Sequence, residues 1–111
     1  MTICDRFDVV VVLFPFIDRA RVKPRPALAL SRRGFNAAHG ATVLAMITTA
    51  SHTRWPSDIA IADGARAGLS SPSVVRLKLF TLDNAVIARR IGRLTRADVA
   101  RVRSGFDRCL A

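Results

Sequence analysis

Apolar residues along this chain come in short blocks, separated by charged or glycine-containing breaks. Asp8-Val9-Val10-Val11-Val12-Leu13-Phe14-Pro15-Phe16 is β-branched and nearly continuous. A run of that apolarity is too short for a helix and predicts a strand that is buried on both faces or covered near one end. Pro15 cannot donate to a ladder, so this end lies at an edge or bends out of the sheet. Ile17 to Val22 reads as a charged connection, Lys23 to Pro26 as a cationic turn, and Ala27 to Leu30 as a second strand. Arg32 to Gly40 is a loop, or a loop with one helical turn, closed by its glycine. Ala41 to Thr48 resumes as a third strand and ends in hydroxyls: Thr48, Thr49 and Ser51, followed by His52.

Ser57 to Ile61 alternates polar and apolar and predicts a short fourth strand, with a loop to Pro72 marked by Asp63-Gly64 and Gly68. From Val75 the alternation is regular. It places Arg76 and Lys78 on one face and Val75, Leu77 and Leu79 on the other. Thr81 to Asn84 turns the chain, and Ile87 to Leu94 supplies a turn plus a last short strand. Thr95-Arg96-Ala97-Asp98 resembles a capping box with Asp in place of Glu. Beyond it Val99, Val102, Phe106, Cys109 and Leu110 recur at three and four, the apolar face of a terminal helix. Five or six short strands followed by a helix predict a mainly β fold, one domain across residues 1–111.

Composition adds a partner class. The 18 basic residues, 16 of them Arg, against 8 acidic ones give a net charge of +10, and there is no Glu. Such a surface attracts polyanions by displacing their condensed counterions. The longest pure apolar run, Val9 to Phe14, is too short to span a bilayer, and Met1 to Asp8 lacks the pattern of a signal peptide. A soluble cytoplasmic protein with no membrane partner is the expectation. Cys4 and Cys109 lie near opposite ends with no Cys/His cluster, so neither a disulfide framework nor a metal site is indicated.

Candidate chemistry narrows in the same way. There is no Gly-x-Ser-x-Gly elbow and no Gly-rich phosphate loop, and the Asp residues are scattered. What remains is a set of cations and hydroxyls. Pro24 and Pro26 fix φ on either side of Arg25, so its guanidinium is carried on a stiff backbone beside Lys23. Thr48, Thr49 and Ser51 end one strand, and Arg76 and Lys78 line another. This set suits cleavage of RNA without metal or cofactor: the 2′-OH attacks its own phosphorus, and the protein orients the phosphate and stabilises the added charge. His52 has the side chain for proton transfer, and Trp55 for stacking on a base.

Five blocks then resemble the MazF/PemK family of toxin-antitoxin ribonucleases: Asp8-Val9-Val10-Val11 with Phe14-Pro15-Phe16-Ile17-Asp18, Lys23 to Ser31, Ile47-Thr48-Thr49, Pro72 to Arg76, and Arg90 to Thr95. They occur in family order over nearly the whole chain. The resemblance implies an SH3-like small β-barrel with a C-terminal helix, usually a homodimer. It also implies a metal-independent endoribonuclease that cuts single-stranded RNA, leaves a cyclic phosphate and is silenced by an acidic antitoxin protein. The family's catalytic Arg falls on Arg25 and its hydroxyl partner on Thr48, while an Arg of the PemK branch matches Arg76. Lys23, Thr49, Ser51, His52, Arg76 and Lys78 are then the substrate-binding candidates. Three positions depart from the pattern: Phe7 stands where Gly is usual, Lys78 where related members carry an acid, and Phe80 where an Arg is often found. A second reading of the same residues is a non-catalytic nucleic-acid- or protein-binding barrel, as in the gyrase-poisoning relatives of this fold, or an inactive toxin homologue.

Overall fold

The computed structural model describes residues 2–14, 23–51 and 54–110. Six strands form one antiparallel sheet: β1 (Asp8–Phe14), β2 (Lys23–Ala29), β3 (Ala41–Thr49), β4 (Ile59–Ala60), β5 (Ser73–Asp83) and β6 (Ile87–Arg93), in the order β4-β5-β3-β2-β1-β6. Helix α1 (Arg33–His39) joins β2 to β3, and α2 (Arg96–Leu110) ends the chain. The mainly β architecture with a C-terminal helix follows the sequence pattern. Pro15 and Phe16, the expected end of the first strand, lie outside the described residues.

Both faces of the sheet are covered, which is why Val9, Val10 and Val12 are all fully buried despite alternating sides. One face packs Val9, Leu28, Ala45, Ile47 and Val75 under Val102 of α2. The other gathers Val10, Val12, Ala27, Ala29, Leu44, Leu82 and Ile87 with Cys4. The two end strands of the order, β4 and β6, are joined through a loop. The Arg93 amide donates to the Arg66 carbonyl at 3.1 Å. Close approach there requires two glycines: a Cβ on Gly92 would sit 2.3 Å from the Ala67 carbonyl carbon, and one on Gly68 2.1 Å from the Ile91 oxygen.

The Lys23 to Pro26 segment is strand, not turn: Arg25 pairs with Val12, and Pro24 and Pro26 with Leu13 and Val11. The Ala29 carbonyl accepts from Phe7 on the β1 side, and the Leu30 amide donates to Val43 of β3. By alternation, the nitrogens of Pro24 and Pro26 face the β3 side, where pairing begins only at Ala27. Neither proline interrupts a ladder, so two residues that read as turn signals are compatible with a strand.

Other differences have equally local causes. β5 runs to Asp83, and Met46 opposes Arg76 while Ala45 opposes Leu79, so Leu77 and Lys78 are an insert in the register. The apolar stripe expected on this strand is therefore broken: Val75 is buried but Leu79 is exposed. The fourth strand shortens to Ile59–Ala60. On α2, Val102 is buried and Val99 and Phe106 are half-buried, but Cys109 and Leu110 of the expected apolar face stand in solvent. The capping box is half made. Thr95 Oγ1 accepts from the Asp98 amide at 3.2 Å, whereas the Asp98 carboxylate accepts from the amides of Ala62 and Asp63 at 2.9 and 3.0 Å.

Candidate active site

Strand register carries Arg25 and Thr48 to the same end of neighbouring strands. The last registered pairs of β2 with β3 are Ala29 with Leu44, Leu28 with Ala45, and Ala27 with Met46. Two residues further along both strands, Arg25 falls opposite Thr48. Arg25 shares its face with Ala27 and Ala29, and Thr48 with Leu44 and Met46, so both project on the same side of the sheet. Ala27 with Met46 is the last registered pair of the two strands; beyond it Arg25 is exposed and Thr48 half-exposed. A guanidinium and a hydroxyl thus stand on one face at the end of two neighbouring strands.

A buried polar network holds that register. Ser31 follows β2; its hydroxyl donates to Asn36 Oδ1 of α1 and accepts from the Val43 amide of β3 at 2.9 Å. Asn36 Nδ2 donates to the carbonyls of Cys4 and Ser31 at 2.9 and 3.1 Å. Thr42 donates to Asn84 Oδ1 at 2.7 Å, and Asn84 Nδ2 to the Asn36 carbonyl at 2.8 Å. Asn36, Thr42 and Asn84 are fully buried. With its donors and acceptors matched, such a cluster tolerates one arrangement of the β2–α1–β3 connection, and a slip would orphan several buried groups at once.

On the far side of β3, Thr48 pairs with Val74 and Met46 with Arg76, which puts Arg76 on the same face as Arg25. Arg76 is already engaged. Its Nε and Nη2 donate to Asp58 Oδ1 and Oδ2 at 3.1 and 2.9 Å, and its guanidinium lies 4.9 Å from the centre of the Trp55 ring. The Asp58 side chain is 1% exposed and that of Arg76 14%. The Arg76 hydrogen bonds, with help from the Trp55 amide and against the cost of burial, hold the Asp58 carboxyl below its usual range. Arg76 is pushed upward by the same bonds. Trp55 is 40% exposed, so the cluster presents an indole braced from behind by a cation.

A model of the PemK-like, MazF-like toxin of type II toxin-antitoxin systems matches residues 5–110. The chain belongs to this family. Solved structures agree in fold: MazE-MazF (form III) from Deinococcus radiodurans has a TM-score of 0.79 at 22% identity, over 98% of this chain and 97% of that one. An endoribonuclease in complex with its cognate antitoxin from a mycobacterial species has 0.76 at 17%, over 99% and 95%. The Mycobacterium tuberculosis toxin MazF-mt6 has 0.73 at 22%, over 91% and 93%. No curated protein sequence matches the chain.

Placed in this MazF-like frame, the candidates divide. Lys23, Arg25, Thr48 and Arg76 share one face by register. Thr49 pairs with Ser73 and turns to the other side, where its hydroxyl accepts from Ser51 at 3.3 Å. Lys78 is exposed within the β5 insert, two positions past Arg76. His52 lies outside the described residues. Asp58 was missed by sequence reasoning; opposite Arg76 but 18 positions away, it carries a signal only once the β4–β5 pairing is known.

Proposed function

We propose that this chain, a single domain across residues 1–111, is the toxin of a type II toxin-antitoxin pair. It acts as a metal-independent endoribonuclease on single-stranded RNA in the cytoplasm. The observation that supports the reading is the β2–β3 register, which, continued two residues past Ala27 and Met46, sets Arg25 against Thr48 on one face of the sheet. The RNA 2′-OH attacks the adjacent phosphorus, forming the P–O2′ bond and breaking P–O5′. The 2′ proton leaves to solvent water, and the departing 5′ oxygen takes a proton from it, leaving a cyclic phosphate. Arg25 stabilises the extra charge on the phosphoryl oxygens in the transition state, and Thr48 donates to one of them. An electrostatic role suits Arg25 because a guanidinium stays charged and is a poor proton shuttle.

Lys23 and Arg25 supply on this face the positive charge that a divalent ion brings to other nucleases, the charge of Arg76 being balanced by Asp58. The antitoxin is an acidic segment that orders across the +10 chain and competes with RNA, and two copies of the chain form the active unit. Incubation with long RNA in EDTA, with sequencing of the new 5′ ends, tests the proposal. Arg25→Ala and Thr48→Ala proteins that keep their fold should lose cleavage; undiminished cutting by Arg25→Ala removes the mechanism. Lys78, in place of an acid, favours one second reading, a barrel that binds RNA without cutting it. Salt-sensitive binding with no products would support it.

A further inference from the structure

At the other end of β1 and β2 from Arg25, on the order of 20 Å along the strands, a recess of about 380 Å³ is lined by Asp5, Arg6, Phe7, Arg32, Arg93 and Arg103. Arg6 Nε is buried without a hydrogen-bond partner among the described residues. The guanidiniums of Arg6 and Arg103 approach the ring of Phe7 to 4.7 and 5.5 Å. Among the described residues no carboxylate pairs with Arg6, Arg32 or Arg103, while Arg93 is held by Asp8 at 2.9 Å and Asp5 leans toward Arg33 at 4.0 Å. Burial, then Arg103, then Arg32 push the Arg6 guanidinium below its ordinary value. Phe7 itself has φ of 70°, a conformation that costs a non-glycine residue on the order of 1–2 kcal/mol, and it sits where the family pattern has Gly.

We propose that this recess is a phosphate-binding site, separate from the cleavage face, for a compact and multiply charged phosphate group. Three guanidiniums that pair with no carboxylate among the described residues, Asp5 leaning instead toward Arg33, call for a ligand carrying more than one negative charge. Their forked donors match phosphate oxygens, and an anion would satisfy the buried Arg6 Nε. An isolated peptide carboxylate brings a single charge to the same space. The strained Phe7 backbone places its ring beneath both cations, so the arrangement belongs to this chain's own departure from the family pattern.

Calorimetry and thermal unfolding of the full chain with sodium diphosphate, against sodium chloride at matched ionic strength, test the site. One equivalent should bind and raise Tm. Arg103→Gln should weaken binding at least about tenfold, with Arg108→Gln as a control that binds like the parent. Arg6→Met should raise Tm in chloride, because it removes a cation repelled by Arg103 and Arg32 and a buried Nε with no hydrogen-bond partner, and should fall below the parent when diphosphate is present. Loss of diphosphate binding in Arg25→Ala but not in Arg103→Gln overturns the proposal, as does a lower Tm of Arg6→Met in both salts. Stabilisation by an oligo-aspartate peptide without any by diphosphate also overturns it. RNA bearing a 5′-phosphate but not a 5′-hydroxyl, if it displaces diphosphate, identifies a strand end as the source; displacement by neither identifies the free anion.

Discussion

Asp58 holds Arg76 through both of its carboxylate oxygens, and the pair lies directly behind Trp55. Arg76 is thereby oriented before any ligand arrives, and Asp58 is consumed as an acceptor.

Because Trp55 is the single tryptophan, intrinsic fluorescence reads this cluster alone. Single-stranded RNA should quench it on binding as a base stacks on the exposed indole, an interaction worth about 1–3 kcal/mol. Trp55→Ala should therefore weaken RNA binding roughly five- to 150-fold, measured by fluorescence anisotropy of a labelled oligonucleotide. Asp58→Asn should disturb the parent spectrum without RNA, since it loosens the bond that braces Arg76.

Arg25→Lys keeps the charge but loses the fork. A transition-state donor of this type contributes about 10²–10³ in rate, so kcat should drop by that order while KM changes little. Thr48→Ser should retain most activity and Thr48→Val should lose it, in single-turnover cleavage assays.

Burial pushes the Asp98 carboxyl up, but the amides of Ala62 and Asp63 and the Arg101 side chain together bring it below its ordinary value. A carboxyl whose folded pKa lies under its unfolded value contributes stability at neutral pH and loses it as pH falls below about 4. Asp98→Asn should cost about 1–3 kcal/mol at pH 7 in urea unfolding and progressively less in acid.

The two thiols should differ sharply. Burial first, then Asp8 and Asp5, push Cys4 up to about 11, whereas Cys109 is exposed on α2. In native protein at pH 8, iodoacetamide should modify Cys109 and spare Cys4, as read by peptide mass spectrometry.

Much of this was legible beforehand, for physical reasons. A β-branched run such as Val9 to Val12 has few alternatives to a strand, and the amphipathic spacing from Val99 to Phe106 announces α2. Pairings distant in sequence were not legible. Nothing near Arg76 points to Asp58, and nothing near Asp98 points to the amides of Ala62 and Asp63. Asn36 and Asn84 looked like turn residues because their composition suits turns, yet they are buried where they bond to each other's elements. The β5 insert was hidden because the alternation through Leu77 and Lys78 continues unbroken, and only the partner strand reveals the shift. Pro24 and Pro26 misled for the opposite reason: their effect depends on which edge they face.

That edge has a further consequence for the life of the protein in solution. An unpaired strand margin ordinarily invites another chain to zip onto it, but two residues lacking amide hydrogens, spaced so that both lie on the same margin, offer an incoming strand nothing to accept from. A strand approaching this margin beside Arg25 thus finds two donors fewer than an ordinary strand would offer.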